Sequence, residues 1–340
     1  MKQPIDCILF VSFGGPEGPD EVIPFLENVL RGKPVPRERM MEVVEHYQHF
    51  GGVSPINAQN RDIIARLQAA LNAAGLNLPI IWGNRNWKPY ITDALREMQA
   101  RGLQCALPVF TNIFSSYSGC RQYRENILAA SQEVGDGAPQ TSPRLRFGFN
   151  HPKFIAAQCD LIQTAIEAVP FESRGNLQLL FTAHSIPLSM SDNCNYVVQL
   201  KESARLIAEQ LGNPSWELVY QSRSGPPTQP WLEPDIGDRI RELAASGTKA
   251  IVVAPLGFVS DHMEVLFDLD TEAHDICKEL GVVYSRAAAA GTHPEFIAML
   301  VDLILERLSN SSPTAIGNLP ALHNVCPDTC CLYPRPTRPA

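Results

Sequence analysis

The sequence predicts an α/β protein built from two doubly wound parallel sheets. Three observations carry that expectation. Short apolar runs alternate with helix-length amphipathic segments along all 340 residues. The runs read as near-continuous Val, Ile and Leu, the pattern of parallel strands covered on both faces. The length suits two domains of roughly 150 residues each.

In chain order, strands are expected at Ile5–Ser12, Leu78–Gly83, Cys105–Phe110, Leu145–Phe149, Leu177–Thr182, Glu217–Gln221, Ala250–Ala254 and Val282–Ser285. Helices are expected at 20–31, 38–49, 57–75, 90–101, 118–134, 152–168, 197–211, 235–246, 262–280 and 294–309. The stretch Gly135–Pro143, rich in Gly, Pro, Ser and Thr, reads as a surface excursion between the halves. The domains are drawn at 1–150 and 151–310, followed by a Cys- and Pro-rich tail over 311–340.

Composition narrows the function classes. Hydrophobic residues at 45% and charged residues at 19% allow a sizeable core and exclude global disorder. A net charge of −8 lacks the electrostatic footprint of a general nucleic-acid binder. The longest apolar runs, Cys7–Val11 and Ile251–Val259, are strand-sized, far short of the roughly 18 residues of a membrane span. The N-terminus lacks the apolar length and cleavage pattern of a signal peptide, so a cytoplasmic protein is expected. Nine cysteines are odd in number and sparse for a disulfide framework. Pro16, Pro108, Pro187 and Pro255 are read as following strand ends. In open α/β sheets the ligand crevice lies beyond those carboxyl ends.

Six segments, most of them there, can carry chemistry. Phe13-Gly14-Gly15-Pro16-Glu17 ends the first strand, and its glycines permit close backbone approach. It is no dinucleotide cradle: Pro16 removes a donor, and Glu17 and Asp20 repel phosphate. A tight turn with Asp20 capping the next helix is the simpler account. His184 follows Leu177–Thr182, and a neutral imidazole there can take a proton or bind a metal. A hydrogen-bonded structural histidine fits equally well. Glu264, Asp268 and Glu272 recur at i, i+4 and i+8, which puts three carboxylates in one row on a helix. No Lys or Arg in 261–276 compensates them. They form either a solvated acidic face or a path for a hydrated divalent cation. Ser115–Arg124 joins a strand end to a helix start, where hydroxyls, free N–H groups and arginines can hold carboxylates. Arg31, Lys33, Arg37 and Arg39 form a basic patch suited to an anionic substrate or simply to solvent. In the tail, Cys326, Cys330 and Cys331 crowd together, a pattern of metal or cluster ligation that needs a fourth ligand from the body. Structural zinc and unligated thiols are the alternatives.

Taken jointly, these motifs resemble the ferrochelatases, which insert ferrous iron into a porphyrin. The resemblance spans about 5–310. It rests on Phe13-Gly14-Gly15-Pro16, Tyr47 through Gly51-Gly52-Val53-Ser54-Pro55, Ala183-His184-Ser185-Ile186-Pro187, Tyr220-Gln221-Ser222-Arg223 with Pro230-Trp231-Leu232, and Pro255-Leu256-Gly257-Phe258 through Asp261–Leu266. The wording of Ser12–Pro19 and Ser116–Tyr123 is most similar to actinobacterial coproporphyrin III ferrochelatases, which make coproheme. The resemblance implies two Rossmann-like domains with a porphyrin cleft between them. It implies His184 and Glu264 as the catalytic pair and transfer of product to the next enzyme of heme synthesis; Asp268 and Glu272 are expected to continue outward from Glu264 as an acidic entry row for the Fe²⁺ substrate. Some members hold a 2Fe–2S cluster on one mid-chain and three C-terminal cysteines. By position Cys159 matches the first, and Cys326, Cys330 and Cys331 match the rest. Some coproporphyrin members have a tyrosine where this chain has Phe13, so Phe13 can pack on the macrocycle but not ligate iron.

The chemistry agrees with this resemblance. Metallation must remove two pyrrole protons and strip water from iron, and bending the ring exposes its nitrogen lone pairs. His184 is expected on one face of the ring as base, with Glu264 confronting it across a slot wide enough for a tetrapyrrole. The segment Val22–Ser54, which resembles the family's cleft lip, lacks a broad apolar membrane-docking surface. Coproporphyrin, water-soluble with four propionates, is therefore favoured over protoporphyrin. Phe13, Arg31, Ser54, Tyr117, Tyr123 and Arg124 are the expected substrate contacts. The rivals are a cobalt or nickel chelatase and a non-catalytic heme or metal carrier. A nucleotide-dependent enzyme fails for want of a phosphate loop.

Overall fold

In the computed structural model, residues 4–32, 35–226 and 228–334 are described. β1 (Cys7–Ser12) is buried at every residue, as its unbroken apolar run requires. It lies between β2 (Ile80–Asn84) and β3 (Cys105–Phe110), and the two-residue β4 (Gln140–Thr141) edges β3. In the second sheet β5 (Leu177–His184) lies between β6 (Trp216–Gln221) and β7 (Ala250–Ala254), with β8 (Val283–Arg286) outside β7. The sheet orders are β2-β1-β3-β4 and β6-β5-β7-β8, and all these pairings are parallel. The expected α/β class with two parallel sheets is what forms.

The helices are α1 (Val22–Val29), α2 (Arg37–His49), α3 (Ile56–Ala73), α4 (Ile91–Ala100), α5 (Gln122–Val134), α6 (Pro152–Glu167), α7 (Leu188–Ser191), α8 (Tyr196–Gln210), α9 (Ile236–Ala245), α10 (Met263–Val265), α11 (His274–Glu279) and α12 (Pro294–Ser309). α10 and α11 are joined by a π-wound stretch, Leu266–Ala273. Each expected helical segment contains a helix, and the short α7 was not expected.

Two details depart from the sequence reading. Leu145–Phe149 is no strand, although Leu145, Phe147 and Phe149 are buried. The chain leaves the β3 edge through Ser142 N–H to Ala106 O (2.9 Å) and Leu145 N–H to Pro108 O (2.8 Å). Between those bonds Pro143 has no N–H to donate, and the ladder ends. Pro108 lies inside β3 rather than after it. Its carbonyl serves the β4 side, so its missing donor also falls there, beyond the two-residue edge strand.

The two sheets share one hydrophobic core. Ile8, Phe10 and Leu107 of the first pack in the same cluster as Leu179, Phe181 and Val252 of the second and Leu300 and Ile304 of α12. A second cluster forms over the carboxyl end of β1. There Val22, Phe25 and Leu26 of α1, Met40, Val44 and Tyr47 of α2, and Trp87 bury Met263 of α10. This lip therefore touches both the first sheet and the segment that carries the carboxylate row.

Candidate active site and thiol site

β1 delivers Phe13 at its carboxyl end. The turn that follows needs glycine twice: Gly14 has φ +83°, and a Cβ on Gly15 would lie 2.7 Å from Ser54 Cβ. Phe13 is 36% exposed, edge-on to Phe25 at 6.2 Å, with the Arg85 guanidinium 5.7 Å above its ring. Asp20 does not cap α1. Glu21 holds the N-cap position of α1 without a side-chain cap bond; its carboxylate accepts from Glu17 N–H (2.9 Å) and Trp87 Nε1–H (2.7 Å) instead.

β5 runs two residues past its predicted end and delivers His184, whose strand partner is Gln221. The His184 carbonyl accepts from Tyr196 Oη–H at 3.2 Å. Its ring Nδ1 lies 2.5 Å from Ser185 O. A carbonyl can only accept, so Nδ1 carries the hydrogen and the neutral ring presents its lone pair at Nε2. Nε2 is 3.7 Å from Glu264 Oε2, and both side chains are open to solvent, at 33% and 54%. The expectation that they confront each other across a macrocycle is overturned. A planar ring needs roughly 3.5 Å of van der Waals clearance on each face, so none fits in that gap. The pair forms one wall.

The carboxylate row has partners the local sequence did not show. Asp268 Oδ2 accepts from Gln221 Nε2–H at 3.2 Å and from the Ser222 hydroxyl. Burial pushes the Asp268 carboxyl up to about 7, the Ser222 bond opposes, and the charges of Glu264 and Glu272 add to the rise. Burial also raises Glu272; Asp235 adds, and Arg39 of the lip opposes. Burial pushes the neighbouring His262 imidazole down, with Glu264 opposing. Arg286 of β8 binds Asp261 at 2.6 Å and Asp270 at 2.5 and 2.8 Å. Tyr284 donates to Leu269 O at 2.8 Å. β8 thus holds the π-wound stretch from behind, and His46 of the lip stacks on Phe267 at 3.6 Å. π-winding inside helices concentrates at functional sites.

The remaining expected contacts divide. Arg31 is exposed on the lip and bonds Asn28 Oδ1 at 2.6 Å. Ser54 is buried beside Gly15. Lys33 lies outside the described residues. Tyr123 is no surface ligand: it is buried in the first sheet's core, against Phe110 at 5.1 Å and under Arg85 at 4.6 Å. Tyr117 donates to Glu125 at 2.9 Å and packs on Tyr333 of the tail. Arg124 faces the tail too, where its charge acts on Cys326.

That tail forms a second site. Arg144 reaches both Cys120 Sγ (3.0 Å) and Cys326 Sγ (3.6 Å), and the neighbouring Cys120 thiol, then Arg144 and Arg124, push the Cys326 sulfur toward thiolate. Cys330 Sγ lies 3.6 Å from Cys331 Sγ. His323, Cys326 and Cys330 place their ligand atoms within 4.8 Å of one another. Cys331 is held at φ +53°, a left-handed conformation rare outside glycine. Arg121 anchors the segment through Asp328 O (2.6 Å) and Cys330 O (3.2 Å). Cys159 is not part of it. Its thiol meets Gln210 Oε1 at 3.3 Å and Ile207 O at 3.8 Å on α8. Cys120, inside the Ser115–Arg124 motif, is the body thiol that Arg144 links to Cys326 of the tail.

The Ferrochelatase family model matches residues 6–308. The chain is 59% identical over 339 residues to a ferrochelatase of Rhodopirellula baltica, covering 99% of this chain and 95% of that one. It is 48% identical to the coproporphyrin III ferrochelatase of Streptomyces coelicolor, covering 98% and 96%. Among solved structures, SirB from Bacillus subtilis with Fe³⁺ has the same fold, with TM-score 0.55 at 13% identity over 90% of this chain and 96% of that one. No helix among the described residues is long and apolar enough to cross a membrane. The chain belongs to the ferrochelatase family, enzymes that insert a metal ion into a porphyrin.

Proposed function

We propose that this ferrochelatase inserts Fe²⁺ into coproporphyrin III, with His184 as base and Glu264 as its partner. The observation that carries the roles is the His184 ring. With its hydrogen on Nδ1, Nε2 is left to accept a pyrrole proton. The imidazolium then finds the Glu264 carboxylate 3.7 Å away. Asp268, whose carboxyl is pushed up to about 7 chiefly by burial, takes the proton onward. Glu272 continues the row outward, where hard carboxylate oxygens suit a hydrated divalent ion. Phe13 offers an exposed aromatic face for the macrocycle to pack on, and Arg31 offers a charge for a propionate.

Two observations support coproporphyrin. Relatives in Streptomyces coelicolor and Nocardia farcinica, at 48% and 46% identity, are named coproporphyrin III ferrochelatases. Among the described lip residues, Met41 and Val53 are the exposed large hydrophobics; Val22, Phe25, Leu26, Met40, Val44 and Tyr47 are turned into the lip's own core. A cytoplasmic setting suits this, and all nine cysteines are unpaired. The test is anaerobic turnover followed by the Soret band, with coproporphyrin III and protoporphyrin IX side by side. Coproporphyrin is expected to be metallated at least tenfold faster. Equal rates, or a faster reaction with protoporphyrin, contradict the substrate assignment. Stoichiometric binding without metallation supports a carrier instead.

A second reading concerns the tail. Cys120, Cys326, Cys330 and Cys331 would suit a 2Fe–2S cluster: Arg144 bridges the Cys120 and Cys326 sulfurs at 3.0 and 3.6 Å, and Cys330 Sγ lies 3.6 Å from Cys331 Sγ. When bound, such a group supplies one-electron redox chemistry and a covalent tie between tail and body.

A further inference from the structure

We propose that Arg144 is the internal counter-charge of the thiolate site and sets the reduction potential of the iron–sulfur group held there. The inference rests on the cluster reading above. Arg144 is 3% exposed. Its Nε donates to Cys120 Sγ at 3.0 Å, its Nη2 to Cys326 Sγ at 3.6 Å and its Nη1 to Leu145 O at 2.8 Å. Its guanidinium lies 4.1 Å from the Phe147 ring centroid. No carboxylate pairs with it among the described residues.

The neighbouring arginine shows what is unusual here. Arg146 is equally buried and binds Glu306 through two bonds of 2.7 Å. A guanidinium stays charged at any accessible pH, and burying one without an anion is costly. At Arg146 the anion is a carboxylate. At Arg144 the partners are sulfurs from two distant parts of the chain: Cys326, pushed toward thiolate, and Cys120, whose own thiol is pushed up by Cys326 and by burial. The fork spans Cys120 on the body and Cys326 on the tail, so it addresses both attachments of the group at once. Hydrogen bonds to ligating sulfurs and net charge are the levers by which a protein tunes a cluster's potential. A fixed positive charge stabilises the more negative, reduced form.

The experiment is an anaerobic dye-mediated redox titration of the full chain, read by visible absorbance and electron paramagnetic resonance. Wild type is compared with Arg144→Met and Arg144→Lys. In Arg144→Met the one-electron reduction equilibrium is expected to shift at least tenfold toward the oxidised form, which is 59 mV to more negative potential. Arg144→Lys, which keeps the charge, is expected to shift less than threefold. A loaded Arg144→Met within threefold of wild type overturns the inference. If Arg144→Met emerges without chromophore while Arg144→Lys retains it, the charge is needed to hold the group and the inference stands. Loss of the chromophore from both variants overturns it, since restoring the charge then restores nothing. Wild-type protein that lacks an iron–sulfur chromophore removes the cluster reading itself.

Discussion

The end of β5 and the C-terminal tail both bring together side chains that bear chemistry, but they hold them by different means. His184 is the last residue of a central strand, paired to β6 along its ladder. Its tautomer is set by a carbonyl one residue away, and its partner Glu264 stands on a helix pinned by β8. The tail has no ladder among its described residues. Its thiols are placed by arginine side chains, Arg121 on backbone carbonyls and Arg144 on sulfur. A site delivered by a sheet depends on the backbone pattern and tolerates change in any one neighbour. A site delivered by side chains depends on each of them.

That contrast can be broken first at the thiols. Cys120→Ser is expected to abolish the iron–sulfur chromophore of anaerobically purified protein, whereas Cys159→Ser leaves it intact. Iron analysis and visible absorbance check both. The opposite pattern would return the mid-chain position to Cys159 and undo the geometric argument for the tail. A smaller effect is expected in the carboxylate row. Asp268→Asn combined with Glu272→Gln should raise KM for Fe²⁺ about tenfold, the size of a lost contact of ~1.4 kcal/mol, with KM for porphyrin changed less than twofold. Equal changes in both constants would make the row a structural feature.

The smallest expected effect is on stability. Asp268 has an ordinary value of 3.8 and is held at about 7 in the fold, chiefly by burial. The folded state therefore binds this proton more tightly than the unfolded chain. Stability from this group is full below pH 3.8 and is lost as pH rises through about 7. Asp268→Asn cannot ionise, so metal-free protein should melt about 2–4 °C higher than wild type at pH 8 and close to wild type at pH 4. A gain that is larger at low pH would contradict the buried-carboxyl account.

The same contrast explains what the sequence made legible. β3 and β7 form at their predicted bounds because their apolar runs stop where their pairing stops. Leu145–Phe149 is buried like a strand but bonds β3 at Leu145 without continuing the ladder, since burial is local in sequence while pairing is a property of the neighbour. His184 and Glu264 were readable because each follows a strand end, where α/β sheets place ligands. Their juxtaposition on one wall was not, because side-chain direction depends on the π-wound turn after Glu264. Asp268 reads as an uncompensated charge until the fold supplies Ser222 and Gln221 from the end of β6. Cys120 looked like one more scattered thiol. Only the tail's return path, set by Arg121 and Arg144, brings Cys326 to it.

The account turns on the imidazole at the end of β5. Its most direct test is anaerobic iron insertion by His184→Ala, followed at the Soret band and paired with a fluorescence titration of porphyrin binding. A lost general base costs about 10²–10⁴-fold in rate, so turnover should fall by at least a hundredfold while porphyrin affinity stays within threefold of wild type. Turnover within tenfold of wild type would contradict the role given to His184.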